Sequence, residues 1–226
     1  QLETIADAKC ELATVLNLSP DHLDRYESDT DYYRTKASIY SNANIAVKNA
    51  DLDFDFSFND GTELISFSGQ RPADSQSYGI RTESEGTFLC QGERRILNCD
   101  RISMRGSHNA ENALAAIAIA ERLGVAEEVI AATLASFTGL PHRCELVAEL
   151  DGTTFINDSK STNPGSTIAA IKGFAGTSDS LIVLIGGQTK DANFSALRDA
   201  LIDNKATVVI YGEDGRILER SFQGCT

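Results

Sequence analysis

The 226-residue sequence predicts an α/β protein with a parallel sheet in its C-terminal part, and three observations carry that expectation. Two short, continuous apolar runs, residues 181–185 and 207–211, each lead into glycine and are separated by a helical pattern, which is how strands buried on both faces of a parallel sheet read. Residues 155–156 end a third strand, and a polar loop runs from there to Pro164, which opens a helix where its missing N–H costs least. Strand and helix alternate through this region, as in doubly wound folds.

The elements follow in order. Residues 14–18 form a short apolar strand that Ser19-Pro20 breaks. Residues 29–43 read as a helix capped by Ser28 or Asp29, and residues 44–48 as a strand. Residues 51–100 are loop-rich, with alternating segments at 63–67, 87–90 and 94–97 that suit small antiparallel strands at a sheet edge. Residues 109–123 form an alanine-rich helix, apolar almost all round and therefore buried, which Gly124 ends. A second helix covers 126–137. Gly139-Leu140-Pro141 marks a boundary between a domain of residues 1–139 and one of residues 140–226. Strands 145–150 and 153–156 flank Asp151-Gly152, a hairpin signal. Helices at 164–173, 194–203 and 214–222 complete the pattern.

Composition narrows the function. The net charge of −13 argues against a nucleic-acid surface, which needs a basic stripe, but leaves room for a local anion pocket. No apolar run reaches the length of a membrane span. Cys10, Cys90, Cys99, Cys144 and Cys225 are odd in number and lack metal-ligand spacing, which fits reduced thiols in a cytoplasmic protein. The opening Gln1-Leu2-Glu3-Thr4 has no leader character and reads as the middle of a longer protein.

Six segments carry candidate chemistry. Asp21-His22-Leu23-Asp24-Arg25-Tyr26 follows a strand, where a His beside carboxylates suits a divalent metal; taken alone it is an ordinary solvated loop. Lys36 lies one helix on, in Tyr33-Arg34-Thr35-Lys36, and most such lysines are merely solvated. In Gly106-Ser107-His108-Asn109-Ala110-Glu111-Asn112 the two asparagines share one face of a helix start, a place suited to phosphate or base recognition. A plain N-cap explains Ser107 or Asn109, but not Asn112 one turn inside an apolar helix. Pro141-His142-Arg143-Cys144-Glu145 sits at the domain boundary, where an arginine grips phosphate or serves as a hinge salt bridge. Residues 157–166, Asn-Asp-Ser-Lys-Ser-Thr-Asn-Pro-Gly-Ser, place an acid, a base and hydroxyls at a strand's carboxyl end, where α/β proteins bind ligands. Gly186-Gly187-Gln188-Thr189-Lys190-Asp191 does the same after the next strand. The sequence contains no GxxxxGK[ST] phosphate loop.

Taken in this order, the six segments resemble the Mur ligases of peptidoglycan synthesis. Asp-His-Leu-Asp-Arg-Tyr, Tyr-Arg-x-Lys, Gly-Ser-His-Asn-x-x-Asn, Gly-Leu-Pro-His-Arg and Asn-Asp-Ser-Lys-Ser-Thr-Asn are similar to the D-glutamate-adding branch of that family. The individual motifs are weak and the ordered set is specific. The resemblance implies the later half of a central ATPase domain, residues 1–139, followed by a truncated Rossmann-like C-terminal domain, residues 140–226. The UDP-binding domain, the phosphate loop and the C-terminal end are missing, so the activity is expected of a longer parent and not of this chain alone.

The resemblance further implies that ATP phosphorylates the carboxylate of UDP-N-acetylmuramoyl-L-alanine and that the amine of D-glutamate attacks the resulting acyl phosphate. On this reading His22 ligates Mg2+, and a carbamylated Lys36 supports the same ion. Asn109, Asn112, Arg143 and Asp158 bind the nucleotide, with Asn112 at its base, Arg143 at the γ-phosphate and Asp158 at the ribose. Lys160, Thr162 and Lys190 line the substrate and D-glutamate site, and His142 lies near the reacting centre. The expected protein is a cytoplasmic monomer that binds neither nucleic acid nor membrane. Two rivals remain open at this point: a non-catalytic nucleotide-binding or regulatory domain on the same fold, and a related ligase with another amino acid.

Overall fold

A computed structural model describes residues 2, 9–20, 25–104, 106–176, 179–189 and 192–225. The chain divides into two compact units: residues 1–104 with 109–137, and residues 105–108 with 138–226.

The first unit is built on a six-stranded sheet in the order β1-β2-β3-β4-β5-β6. Its strands are β1 (Cys10–Val15), β2 (Ala43–Asn49), β3 (Glu63–Phe67), β4 (Tyr78–Glu83), β5 (Gly86–Gln91) and β6 (Arg94–Asn98). β1 to β4 pair in parallel, and β4 to β6 form an antiparallel edge. The expected edge strands are thus present, but β3 belongs to the parallel part, and β4 lay in a stretch read as loop. The first strand ends at Val15, earlier than expected. The helix that begins at Asp29 is α1 (Asp29–Ala37), with the Ser28 side chain accepting from Asp31 N–H as its cap. It stops well short of residue 43, because a 3₁₀ turn (Ser38–Asn42) swings Tyr40 into the core.

Tyr40 explains that break. Its ring is fully buried, and its hydroxyl accepts from Val15 N–H at 2.8 Å and donates to Val47 carbonyl at 3.0 Å, joining β1 to β2. Phe56 and Phe58 pack on the ring at 5.4 and 5.2 Å between centroids. On the other side of the sheet lie α2 (Ser107–Arg122) and α3 (Glu127–Ser136). Ala113, Leu114, Ala115, Ile117 and Ala118 of α2 are buried against Val47, Phe67, Leu89 and Leu97, so the alanine-rich helix is the core element its composition predicts.

The second unit has a hairpin and a small parallel sheet. β7 (Glu145–Leu150) and β8 (Thr153–Asn157) pair antiparallel around Asp151 and Gly152, both at positive φ as a tight hairpin turn requires. β9 (Ile182–Gly186) and β10 (Thr207–Tyr211) pair in parallel. They are flanked by α4 (Pro164–Phe174), α5 (Ser195–Asp203) and α6 (Gly215–Ser221). Val183, Ile185, Val208 and Ile210 face a core of Ile171, Leu197, Leu201, Leu218 and Phe222. The opposite face is open: Ile182 and Leu184 are 60% and 66% exposed, and Val209 and Tyr211 are exposed as well. The strands read as buried on both faces are therefore covered on one, since a continuous apolar run does not reveal whether both layers are present.

Replacing Tyr40 with Phe keeps the ring and removes the bridge, leaving Val15 N–H and Val47 carbonyl buried. Urea unfolding should show a loss of roughly 1–3 kcal/mol at an unchanged m-value.

Candidate active site

In the second unit two loops interlock. The first precedes β7 and holds His142, Arg143 and Cys144; the second follows β8 and holds Asp158, Lys160 and Thr162. His142 and Cys144 adopt left-handed backbone conformations, φ 65° and 47°, which non-glycine residues seldom take. Each amide is pinned by a carboxylate. Glu145 Oε2 accepts from His142 N–H at 2.9 Å, and Asp158 Oδ1 accepts from Cys144 N–H at 3.0 Å. A left-handed residue costs about 1–3 kcal/mol and a hydrogen bond to a charged group contributes roughly 1.5–3 kcal/mol, so the two carboxylates offset the strain. Arg143 sits between the strained residues, its N–H bonded to Leu140 carbonyl at 3.2 Å and its side chain exposed.

The second loop is tied to the first and to itself. Lys160 N–H donates to His142 carbonyl at 3.1 Å, Ser161 N–H to Asp158 carbonyl at 2.8 Å and Thr162 N–H to Lys160 carbonyl at 2.9 Å. The Ser161 hydroxyl donates to Asp158 Oδ2. The Asn163 side chain caps α4 by accepting from Ser166 N–H at 2.9 Å. The structure thus brings His142, Arg143, Asp158 and Lys160 into one loop pair, with the Lys160 and Thr162 side chains exposed.

Sequence reasoning gave His108 no role, and it proves to be the half-buried prop of this loop pair. Its Nε2 lies 3.5 Å from Cys144 Sγ, and its Nδ1 is buried with no hydrogen-bond partner. A Cβ built on Gly173 would lie 2.6 Å from that Nδ1, so only glycine fits there. Burial lowers the His108 pKa below its ordinary 6.5, against the opposing charge of Asp158. Burial, together with Asp158, pushes the Cys144 thiol up to about 12, which keeps it an inert thiol at neutral pH.

Lys190 lies outside the described residues, but the loop leading to it is fixed. Asp214 Oδ2 accepts from Thr189 N–H at 2.8 Å and from the Thr189 hydroxyl at 3.0 Å. A cleft of about 850 Å³ along β10 and α6 contains Asp214 but none of the predicted site residues. Chemistry, not cavity size, locates the candidate site.

The first unit carries the remaining predicted residues. Asn112 Nδ2 donates to Asn109 Oδ1 at 3.2 Å at the start of α2, so the two asparagines do act as a pair. Nearby, Asp51 Oδ2 accepts from Gly69 N–H at 2.6 Å, and burial and Asp51 raise the pKa of Glu111. Lys36 is half-buried, with Nζ 4.7 Å from the Tyr32 ring centroid. His22 lies outside the described residues. Among those described, no group of three or more His, Cys, Asp and Glu side chains is arranged to hold a metal. One observation on α1 does fit a cation: Asp29 Oδ1 is buried without a hydrogen-bond partner, on the helix that carries Lys36.

Two α/β units with polar strand-end loops define a class, the α/β proteins whose ligands bind at strand carboxyl ends. Two family models match: "Mur ligase middle domain" over residues 1–120 and "Mur ligase, glutamate ligase domain" over residues 142–223. The chain belongs to the Mur ligase family. It is 40% identical over 221 residues to the UDP-N-acetylmuramoylalanine--D-glutamate ligase of Nitrosococcus oceani, a match covering 97% of this chain and 48% of that protein. The chain spans about half the length of the curated relatives it matches. Among solved structures, MurF from Acinetobacter baumannii superposes with TM-score 0.63 at 19% identity, over 95% of this chain and 54% of that one. A bifunctional folylpolyglutamate synthase/dihydrofolate synthase, solved with Mn, AMPPNP and L-glutamate bound, gives 0.58 at 16% identity over 95% and 56%. These two likenesses concern the fold.

The half-buried His108, whose pKa burial lowers, carries a pH signature. Because its folded pKa is depressed, the unfolded chain binds more protons as pH falls, so its contribution to stability is present above about pH 6.5 and lost below. Urea unfolding from about pH 7.5 to about pH 5.5, one unit either side of an ordinary histidine pKa, should show stability falling, with a shallower fall in His108→Gln.

Proposed function

We propose that this chain is the nucleotide- and amino-acid-binding part of a ligase that uses ATP to join D-glutamate to UDP-N-acetylmuramoyl-L-alanine in the cytoplasm. The observation that carries this reading is the interlocked loop pair holding Arg143, Asp158 and Lys160, in a chain 40% identical along 97% of its length to a D-glutamate ligase. The partial central domain is assigned to residues 1–139 and the partial C-terminal domain to residues 140–226, and the working protein to a monomer. Among the described residues no helix is long and apolar enough to cross a membrane.

The roles follow from chemistry. Phosphoryl transfer to a carboxylate develops negative charge, and catalysis consists mainly of positioning and charge stabilisation. Arg143 presents an exposed guanidinium from a backbone held rigid on both sides, which suits a clamp on the transferring phosphoryl oxygens. Asp158 spends its oxygens on Cys144 N–H and Ser161, so its first task is to hold the loop, and any contact with a ribose hydroxyl is shared with that task. Asn109 and Asn112 read the base as a coupled amide pair. Lys160, Thr162 and Lys190 receive the carboxylates of the substrates. His22 and Lys36 are assigned to Mg2+, which when bound would neutralise phosphate charge. Carbamylation of Lys36 would turn its cation into an anion beside that ion.

The deciding experiment measures phosphate release by a full-length parent with UDP-N-acetylmuramoyl-L-alanine and a panel of amino acids. Activity with D-glutamate alone supports the reading. Nucleotide binding without turnover favours the regulatory rival, and preference for another amino acid favours a sister ligase. In the same assay Lys190→Ala should raise the KM for D-glutamate roughly 10- to 100-fold, the loss of one charge-assisted contact, with ATP affinity little changed. Lys36→Ala should abolish turnover, and added short carboxylic acids should partly restore it; full activity without rescue would remove the carbamate from the scheme.

A further inference from the structure

The His142 imidazole is held by a network that fixes which of its nitrogens carries the proton. Asn157, the last residue of β8, lies at the centre of that network. Its Oδ1 accepts from Ser159 N–H at 3.1 Å. Its Nδ2 faces Glu145 Oε2 at 3.3 Å and His142 Nδ1 at 2.8 Å. The two outer contacts set the amide's orientation independently. Reversing it would turn a carbonyl oxygen toward the Glu145 carboxylate and an NH2 toward the Ser159 N–H. Glu145 is itself fixed, because the same Oε2 accepts from His142 N–H at 2.9 Å. Asn157 Nδ2 is therefore the donor to His142 Nδ1, and a nitrogen that accepts a hydrogen bond carries no proton. The neutral ring then has its proton on Nε2. The ring is exposed, and no contact of Nε2 is formed among the described residues.

We propose that Asn157 is a positioning residue that locks His142 as the Nε2–H tautomer, so that His142 donates a hydrogen bond from Nε2 to a phosphoryl oxygen and does not act as a general base through that nitrogen. The choice of a phosphoryl oxygen rests on the ligase reading above, in which the neighbouring Arg143 clamps the same group. The tautomer itself rests only on the contacts of Asn157. A fixed N–H beside a guanidinium supplies a second donor to developing negative charge without needing to gain or lose a proton. A general base in this position would need an unprotonated Nε2, the opposite of what Asn157 imposes.

Two measurements test this. The chain has three histidines, so two-bond proton–nitrogen spectra of uniformly labelled protein resolve each ring, and His142→Gln assigns one set. At about pH 8, where ordinary histidines are neutral, His142 should show a bare Nδ1 and a protonated Nε2. Asn157→Asp, which puts an acceptor where the donor was, should protonate Nδ1. A wild-type ring with its proton on Nδ1, or an Asn157→Asp ring whose Nδ1 stays bare, overturns the positioning role.

The second measurement is turnover in the full-length parent. Glutamine places an amide N–H near the position of Nε2 but cannot take up a proton. His142→Gln should keep a kcat roughly 10- to 100-fold above His142→Ala, the span of a hydrogen bond to a charged group. Equal loss in both variants overturns the donor role. Absence of ligation by the wild-type parent would strike the ligase reading instead and leave the tautomer result standing.

Discussion

The backbone at residues 142–144 is the constraint on which the candidate site depends. Two non-glycine residues, His142 and Cys144, are left-handed on either side of Arg143, and each has its N–H taken by a carboxylate from elsewhere in the loop pair. Remove either acid and a strained residue loses the contact that offsets its strain. The loop would then relax toward ordinary conformations, and Arg143 between them would lose its direction. Strain of this kind collects at functional sites because it holds a side chain where no relaxed loop would. Here its consequence is concrete. Glu145, Asp158 and Asn157 fix the frame, and Arg143 and His142 are what the frame presents.

The same geometry explains why so acidic a chain suits an anionic ligand. Several arginines of the first unit are consumed locally: Arg81 by Glu83 and Glu93, Arg94 by Glu121 and Glu127, Arg95 by Glu83 and Glu85, Arg122 by Glu63. The pairs Arg94–Glu127, Arg95–Glu85 and Arg122–Glu63 are solvent-facing and each contributes little to stability, whereas Arg81 and Glu83 are mostly covered. All these pairs keep those cations from forming a broad positive surface. Arg143, by contrast, is exposed and has no carboxylate partner among the described residues. Local field, not net charge, decides what binds at a loop.

Much of the fold was legible in the sequence because its signals are local. Ser28 capping α1, Pro164 opening α4, the Asp151-Gly152 turn and the apolar run of α2 each follow from side chains acting within a few residues. What escaped was non-local. Tyr40 ends α1 early because its hydroxyl accepts from Val15 N–H, 25 residues back in β1, and donates to Val47 carbonyl in β2, and nothing in residues 38–42 announces that. β4 was missed because Tyr78–Glu83 alternates weakly and its neighbours carry the pairing. The open face of β9 and β10 was invisible because an apolar residue reads alike whether or not a second layer covers it.

The site divides along the same line. Residues with distinctive chemistry in motif-bearing loops, Arg143, Asp158 and Lys160, were legible; those that give them geometry were not. Asn157 looks like the polar end of a strand, Glu145 like the first residue of a hairpin, and His108 like an unassigned residue at a helix start. Their roles appear only when β7 and β8 pair, because Glu145 and Asn157 are opposite partners in that ladder. The hairpin register therefore does chemical as well as structural duty. A slip of one residue would send both side chains to the other face, releasing the His142 ring and its left-handed backbone together. Sheet pairing, amide orientation and imidazole protonation thus form one chain of dependence, in which the tautomer of an exposed histidine is set by the register of two short strands.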